Sequence, residues 1–169
     1  QGCASDPWDV EDAIRVGARA AHHGARWYEE PCHADDIVGY ARVREALDVP
    51  VSGVESNGTV REFAELIGAG AVDLAQPDVT FVGGPRSFAQ VAKLAADAGI
   101  DCVPHVWGSG VTFSANLATV LAEPHVELFE YCTLPNPFRD ALLMQPVRFA
   151  DGMVHAPDVI GLGVLLTPD

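Results

Sequence analysis

Five short apolar runs, each closed by a group able to bind a metal or move a proton, recur about every 25 residues along this chain. They are Trp27-Tyr28-Glu29-Glu30-Pro31, Val51-Ser52-Gly53-Val54-Glu55, Val72 to Asp78, Asp101-Cys102-Val103-Pro104-His105 and Val126-Glu127-Leu128-Phe129-Glu130. One strand plus one helix fits each interval, and such alternation means a parallel sheet with helices packed outside it. An open doubly wound sheet gathers its ligands at one switch point, whereas a barrel brings every strand end to one mouth. Polar groups at five successive ends favour the barrel. The chain has 169 residues, while a closed eight-fold barrel takes about 250, so the expected fold is α/β, a partial (β/α) barrel.

The intervening segments carry helix signals. Asp9 is placed to cap a first helix that Gly24 ends, with Glu11 and Asp12 in its first turn. Asp35 and Asp36 open a second helix, and Thr59 followed by Glu62 is a capping box for a third. Ser87 is expected to cap a fourth, with Phe88, Val91, Leu94 and Ala95 inward. A fifth is expected from about Thr112 to Ala122, with Phe113, Leu117, Val120 and Leu121 inward. The alternation stops after Thr133, where Pro135, Asn136 and Pro137 read as a loop and Asp151-Gly152 as a hairpin turn. Residues 1–133 therefore form strand–helix repeats and 134–169 a tail.

Charge narrows the partners. Ten Lys and Arg against 24 Asp and Glu leave a formal charge of −14 and a pI near 4.6. No basic cluster can neutralise phosphates, which excludes nucleic acid and anionic membrane as expected partners. Cys3, Cys32, Cys102 and Cys132 are widely separated and read as unpaired thiols of a reducing compartment. With neither a long apolar span nor a signal peptide in the sequence, a cytoplasmic protein is expected.

Glu29 and Glu55, on neighbouring strand ends, make a hard-oxygen site suited to Mg2+ or Mn2+; the competing reading is a pair of solvated rim carboxylates. Glu29 is preferred to Glu30 because strand alternation lets one of the two face inward, on the face of Trp27. His105 is the candidate base or acid. Asp78, one strand earlier, is placed to accept its ring N–H, as in a catalytic triad. Glu130, if protonated, would donate a hydrogen bond to a developing enolate; otherwise it is a rim carboxylate. His22, His23, His33, His125 and His155 read as surface or loop residues.

These motifs resemble the enolase superfamily, and within it the mandelate racemase/muconate lactonizing enzyme family, mandelate racemase subgroup. The resemblance rests on Trp27 to Pro31, Gly53-Val54-Glu55, Gln76-Pro77-Asp78 before Gly83-Gly84, Pro104-His105-Val106-Trp107-Gly108 and Phe129-Glu130-Tyr131. Asn136-Pro137-Phe138-Arg139, Asp151-Gly152 and Gly161-Leu162-Gly163 extend it over nearly the whole chain. It implies a barrel whose members bind one Mg2+, abstract the proton alpha to a carboxylate and stabilise the enediolate with the metal. Glu29 and Glu55 match two of three metal ligands, His105 with Asp78 the His–Asp base, and Glu130 the acid that hydrogen-bonds the substrate carboxylate.

The implied activity is an acid-sugar dehydratase acting on a small carboxylate. A racemase or sugar-lactone cycloisomerase is the alternative within the class, and a metal-deficient, non-catalytic scaffold the alternative outside it. Two departures stand out. Cys3 occupies the place of the first metal ligand, with nearby Asp6 unsupported by register, and a thiol suits Mg2+ poorly. Nothing matches the family's amino-terminal capping domain or its Lys-x-Lys strand. The chain is thus expected to be the carboxyl-terminal part of a barrel, five to six strand–helix units and a tail, with open sheet edges completed by missing strands or by a homo-oligomer.

Overall fold

The computed structural model describes residues 8–165. Four parallel strands, β1 (Tyr28–Glu29), β2 (Val51–Gly53), β3 (Leu74–Ala75) and β4 (Asp101–Cys102), pair in the order β1-β2-β3-β4. Order in space follows order in sequence, with no switch point, which is the barrel arrangement and not the doubly wound one. The paired cores are shorter than the apolar runs, but backbone bonds carry the ladder further. Glu30 N–H reaches Ser52 O, Val103 N–H reaches Ala75 O and His105 N–H reaches Pro77 O.

Helices α1 (Val10–His22), α2 (Ile37–Ala46), α3 (Val60–Gly68), α4 (Pro85–Ala98) and α5 (Gly110–Ala122) alternate with these strands. The expected caps form. Asp9 accepts from Asp12 N–H at 2.8 Å and Asp36 from Gly39 N–H at 2.8 Å. Thr59 accepts from Glu62 N–H, and its hydroxyl also donates to the Glu62 carboxylate at 2.8 Å. Ser87 is not a cap: α4 starts three residues earlier, with Gly84 at the cap and Pro85 in the first turn, where proline's missing N–H costs no helical bond. Ser109, likewise, starts α5 two residues before Thr112.

The outer face of the sheet and the inner faces of the helices share one core, including Tyr28, Tyr40, Val43, Val51, Phe63, Leu66, Ala75, Phe88, Val91 and Cys102. Helix α1 lies so close to the sheet that a Cβ on Gly17 would sit 2.3 Å from Leu47 Cδ1 and 2.9 Å from the Tyr28 ring. Leu121, expected to face inward, is 58% exposed. At the amino ends of the strands, Asp73 receives Arg44 Nε at 2.7 Å and Val51 N–H at 2.9 Å, tying α2, β2 and β3 together.

Val126 to Glu130 is the fifth apolar run but not a strand. It enters the structure through side chains: Phe129 packs on a second cluster of Val106, Phe113 and Leu117, beside Tyr131, Leu143, Val147 and Val154. The tail supplies a short helix, α6 (Pro137–Asp140), and the hairpin β5 (Arg148–Ala150) and β6 (Met153–His155), turning at Asp151-Gly152 as expected. Arg139 of α6 is 7% exposed, donates to Cys132 O at 2.8 Å, and lies over the Phe113 and Tyr131 rings. Helix α5 abuts α6 at Gly110, where a Cβ would lie 2.5 Å from Arg139 O and 3.0 Å from Leu142 Cβ. Cys32, Cys102 and Cys132 are unpaired, the first two buried. Among the described residues no helix is long and apolar enough to cross a membrane.

Candidate active site

Because the strands are parallel, their carboxyl ends open on one side, and the loops that follow bring Glu29, Glu55, Asp78, His105 and Glu130 together there. Asp78 is the most enclosed, with 0% exposure. Its Oδ1 accepts from Thr80 N–H and Thr80 Oγ1 at 2.7 Å each and from Asn116 Nδ2 at 3.0 Å, and its Oδ2 lies 3.0 Å from His105 Nδ1. Burial alone would raise the Asp78 pKa, but the bonds from His105, Asn116 and Thr80 outweigh it and hold the carboxyl below its ordinary range. Asp78 is therefore charged and acceptor-only, so Nδ1 of His105 carries a proton toward it.

That leaves Nε2 of His105 facing the mouth, 3.5 Å from Glu55 Oε2. Burial would depress the His105 pKa, yet the Asp78 hydrogen bond and the charges of Glu55 and Glu130 raise it above its ordinary value. Glu55 shifts upward too: burial raises it first, His105 lowers it, and repulsion from Glu29, Glu130 and Asp78 adds to the rise. Imidazole and carboxylate thus compete for protons in the same corner. His105 and Glu55 keep 15% and 25% of their side-chain surface exposed, enough to be reached by a small molecule.

Glu130 comes to this corner without a strand. Its Oε2 accepts from Val106 N–H at 2.5 Å, so a side chain takes a backbone donor just past His105. Burial raises its pKa, against the lowering effects of that bond and of His105. Glu29 sits at the other flank, where Oε2 accepts from Trp27 Nε1 at 3.3 Å and Gln76 Nε2 at 3.0 Å. The bond to the Trp27 indole agrees with the face on which alternation placed Glu29. Glu30 adopts a left-handed backbone at φ 47°.

As donors, Glu29 and Glu55 fit a hard divalent cation: both offer carboxylate oxygens, and their mutual repulsion is what a cation relieves. Among the described residues, no group of three or more His, Cys, Asp or Glu side chains is gathered to hold a metal ion. Cys3 and Asp6, raised for the third position, lie outside the described residues. His22, His23 and His125 are exposed and His33 and His155 partly so.

Asn116 was not legible as a site residue. It lies in the apolar stripe of α5 with 0% exposure, bonded to Asp78, to Thr112 O at 3.1 Å and to Val79 N–H at 3.0 Å. The available signal was a lone amide among Phe113, Leu117 and Val120. Thr80, two residues after Asp78, could have been read as an Asx-type turn around that carboxylate.

Fold and site together define a domain of the barrel class, with a buried aspartate–histidine pair among carboxylates at the carboxyl ends of its strands. Residues 4–169 match the family model described as enolase C-terminal domain-like. The chain belongs to that family, the mandelate racemase/muconate lactonizing group of the enolase superfamily. It is 37% identical over 174 residues to D-galactarolactone cycloisomerase of Agrobacterium fabrum, across 98% of this chain and 46% of that protein. It is 36% identical over 164 residues to L-talarate/galactarate dehydratase of Salmonella typhimurium, across 97% of this chain and 39% of that one. A solved enolase from Bradyrhizobium, complexed with magnesium and mandelic acid, superposes with a TM-score of 0.79 at 34% identity, covering 93% of this chain and 41% of its own. The chain therefore spans less than half the length of the curated relatives it matches.

Proposed function

We propose that this chain supplies the base, the acid and two metal ligands for Mg2+-dependent abstraction of the proton alpha to a carboxylate, in an acid-sugar dehydratase. The observation that carries the reading is the Asp78–His105 pair, with Nδ1 committed to a buried carboxylate and Nε2 open to the mouth. A histidine held this way presents its basic nitrogen in one orientation, and Asp78 stabilises the imidazolium that forms when a proton arrives. The sugar-acid class of substrate is supported by the dehydratase relative, and the small carboxylate by the mandelic acid in the Bradyrhizobium structure.

Glu29 and Glu55 would hold Mg2+, or Mn2+ in its place, and the cation supplies positive charge against the enediolate that develops on the substrate carboxylate. His105 Nε2 takes the alpha proton. The electron pair left on carbon expels the neighbouring hydroxyl, to which the His105 imidazolium passes the proton it took so that it departs as water, and the resulting enol tautomerises to a 2-keto acid. Glu130, in its protonated form, which burial favours, would donate a hydrogen bond to the substrate carboxylate.

Cycloisomerisation is the second reading, favoured by the galactarolactone cycloisomerase match. In that reaction the same proton abstraction or return proceeds with opening of a lactone C–O bond in place of loss of water. Replacing His105 by Asn in the full-length protein is the test, with acid sugars and their lactones as substrates. Turnover is expected to fall about 10²- to 10⁴-fold, and full turnover on every active substrate would remove His105 from the mechanism. Release of water with a 2-keto product identifies the dehydratase; a ring-opened product with no loss of water identifies the cycloisomerase.

A further inference from the structure

Gln76 follows β3 directly and is 3% exposed, and the two ends of its amide meet different fates. Its Nε2 donates to Glu29 Oε2 at 3.0 Å, joining strand ends that lie on either side of β2. Its Oε1 is buried without a partner among the described residues. A buried polar atom left unpaired costs about 1–3 kcal/mol, so such atoms are few and call for an explanation.

Ser52 on β2 is in the same condition, 0% exposed with no partner for Oγ. The register sets Ser52 opposite Glu29 on one side and Leu74 on the other. Laterally paired residues share a face, and Gln76, two residues beyond Leu74, returns to it. Glu29, Ser52 and Gln76 thus form a polar lane on the face opposite the apolar core of Tyr28, Val51 and Ala75.

The donors to Glu29 share one property. The Trp27 indole and the Gln76 amide both converge on Oε2, and both are neutral. An Arg or Lys in their place would neutralise the carboxylate and compete with a cation for it. Neutral donors orient Glu29 and leave its charge unspent.

We infer that Gln76 is a positioning residue for cation binding: its Nε2 pins Glu29 Oε2 so that Oε1 is the oxygen presented to a divalent cation, and its own Oε1 accepts a hydrogen bond from a water or hydroxyl in the loaded site. The inference rests on the proposed role of Glu29 as a metal ligand.

Calorimetric titration of the full-length protein with MgCl2 tests it, comparing Gln76→Met, Gln76→Leu and Glu29→Gln with the parent. Gln76→Met keeps the length of the buried side chain and removes both polar atoms. Both Gln76 variants are expected to bind Mg2+ about 10- to 100-fold more weakly, with folding checked by thermal melting. Parental affinity in Gln76→Met alongside weak binding in Gln76→Leu would reduce Gln76 to a packing residue and overturn the inference. Glu29→Gln separates the two layers. Loss of Mg2+ there with parental affinity in both Gln76 variants removes the positioning role alone, whereas unchanged affinity in Glu29→Gln removes Glu29 as a ligand and the inference with it.

Discussion

The Asp78–His105 corner and the carboxylate flank of the mouth are finished to different degrees. Asp78 is sealed, with acceptor sites met by His105, Asn116 and Thr80, all from this chain. Glu29, Glu55 and Glu130 are only partly buried, and Glu55 feels repulsion from each of the other carboxylates in the ring. One side is complete as folded; the other retains negative charge that this chain's donors orient without cancelling. Under the proposed function, preorganisation resides in the Asp78–His105 half, and the charge that would draw a cation in the other.

The contrast breaks most sharply at Asp78. Alanine there strands His105 and Asn116 without their acceptor, and loss of one member of a buried charged pair costs about 3–5 kcal/mol; urea unfolding of the full-length protein should show a loss of that size. An unchanged midpoint would put Asp78 on the same footing as the rim carboxylates. Asn116→Leu is the next largest: it deprives Asp78 Oδ1 of one donor and Val79 N–H of its acceptor, for about 1–3 kcal/mol. It should also shift the pH at which His105 titrates, read by NMR of the ring, because Asp78 loses part of its support.

The smallest effect carries the clearest sign. Asp78, held below its ordinary 3.8, contributes stability that is present above that value and lost as pH falls through its folded pKa. His105, raised above 6.5, contributes stability below 6.5 that is lost as pH rises through its folded pKa. Glu55, raised above 4.5, also favours the fold at low pH and loses that contribution as pH climbs through its folded pKa. Glu55→Gln should therefore change stability at neutral pH by no more than about 1 kcal/mol and flatten the decline above pH 4.5. A steeper decline in the variant would contradict the direction assigned to Glu55.

The sequence reading reached the four paired strands and their polar ends because each ending is a local event, an apolar run stopped by a polar residue, proline or turn. The helix caps Asp9 and Thr59 were legible for the same reason, their bonds spanning three residues. Residues 126–130 carry the same local pattern and form no ladder, because pairing depends on a neighbour and not on the run itself. Glu130 still reaches the mouth, through a side-chain bond 24 residues back. Asn116 was not singled out, and Gln76 entered only as part of a motif and without a role, because their partners lie 38 and 47 residues away, at Asp78 and Glu29. Propensity and periodicity see neither distance.

Gly110 gives the tail a mechanical meaning. With 2.5 Å between its notional Cβ and Arg139 O, the contact of α5 on α6 has no clearance for even a methyl group. Helix α5 also carries Asn116, and through Asn116 the carboxylate that tunes His105. The tail thus backs the helix that holds Asn116 against Asp78, and swapping or shortening it is expected to register as a drift in the proton affinity of His105 before any residue of the mouth is touched.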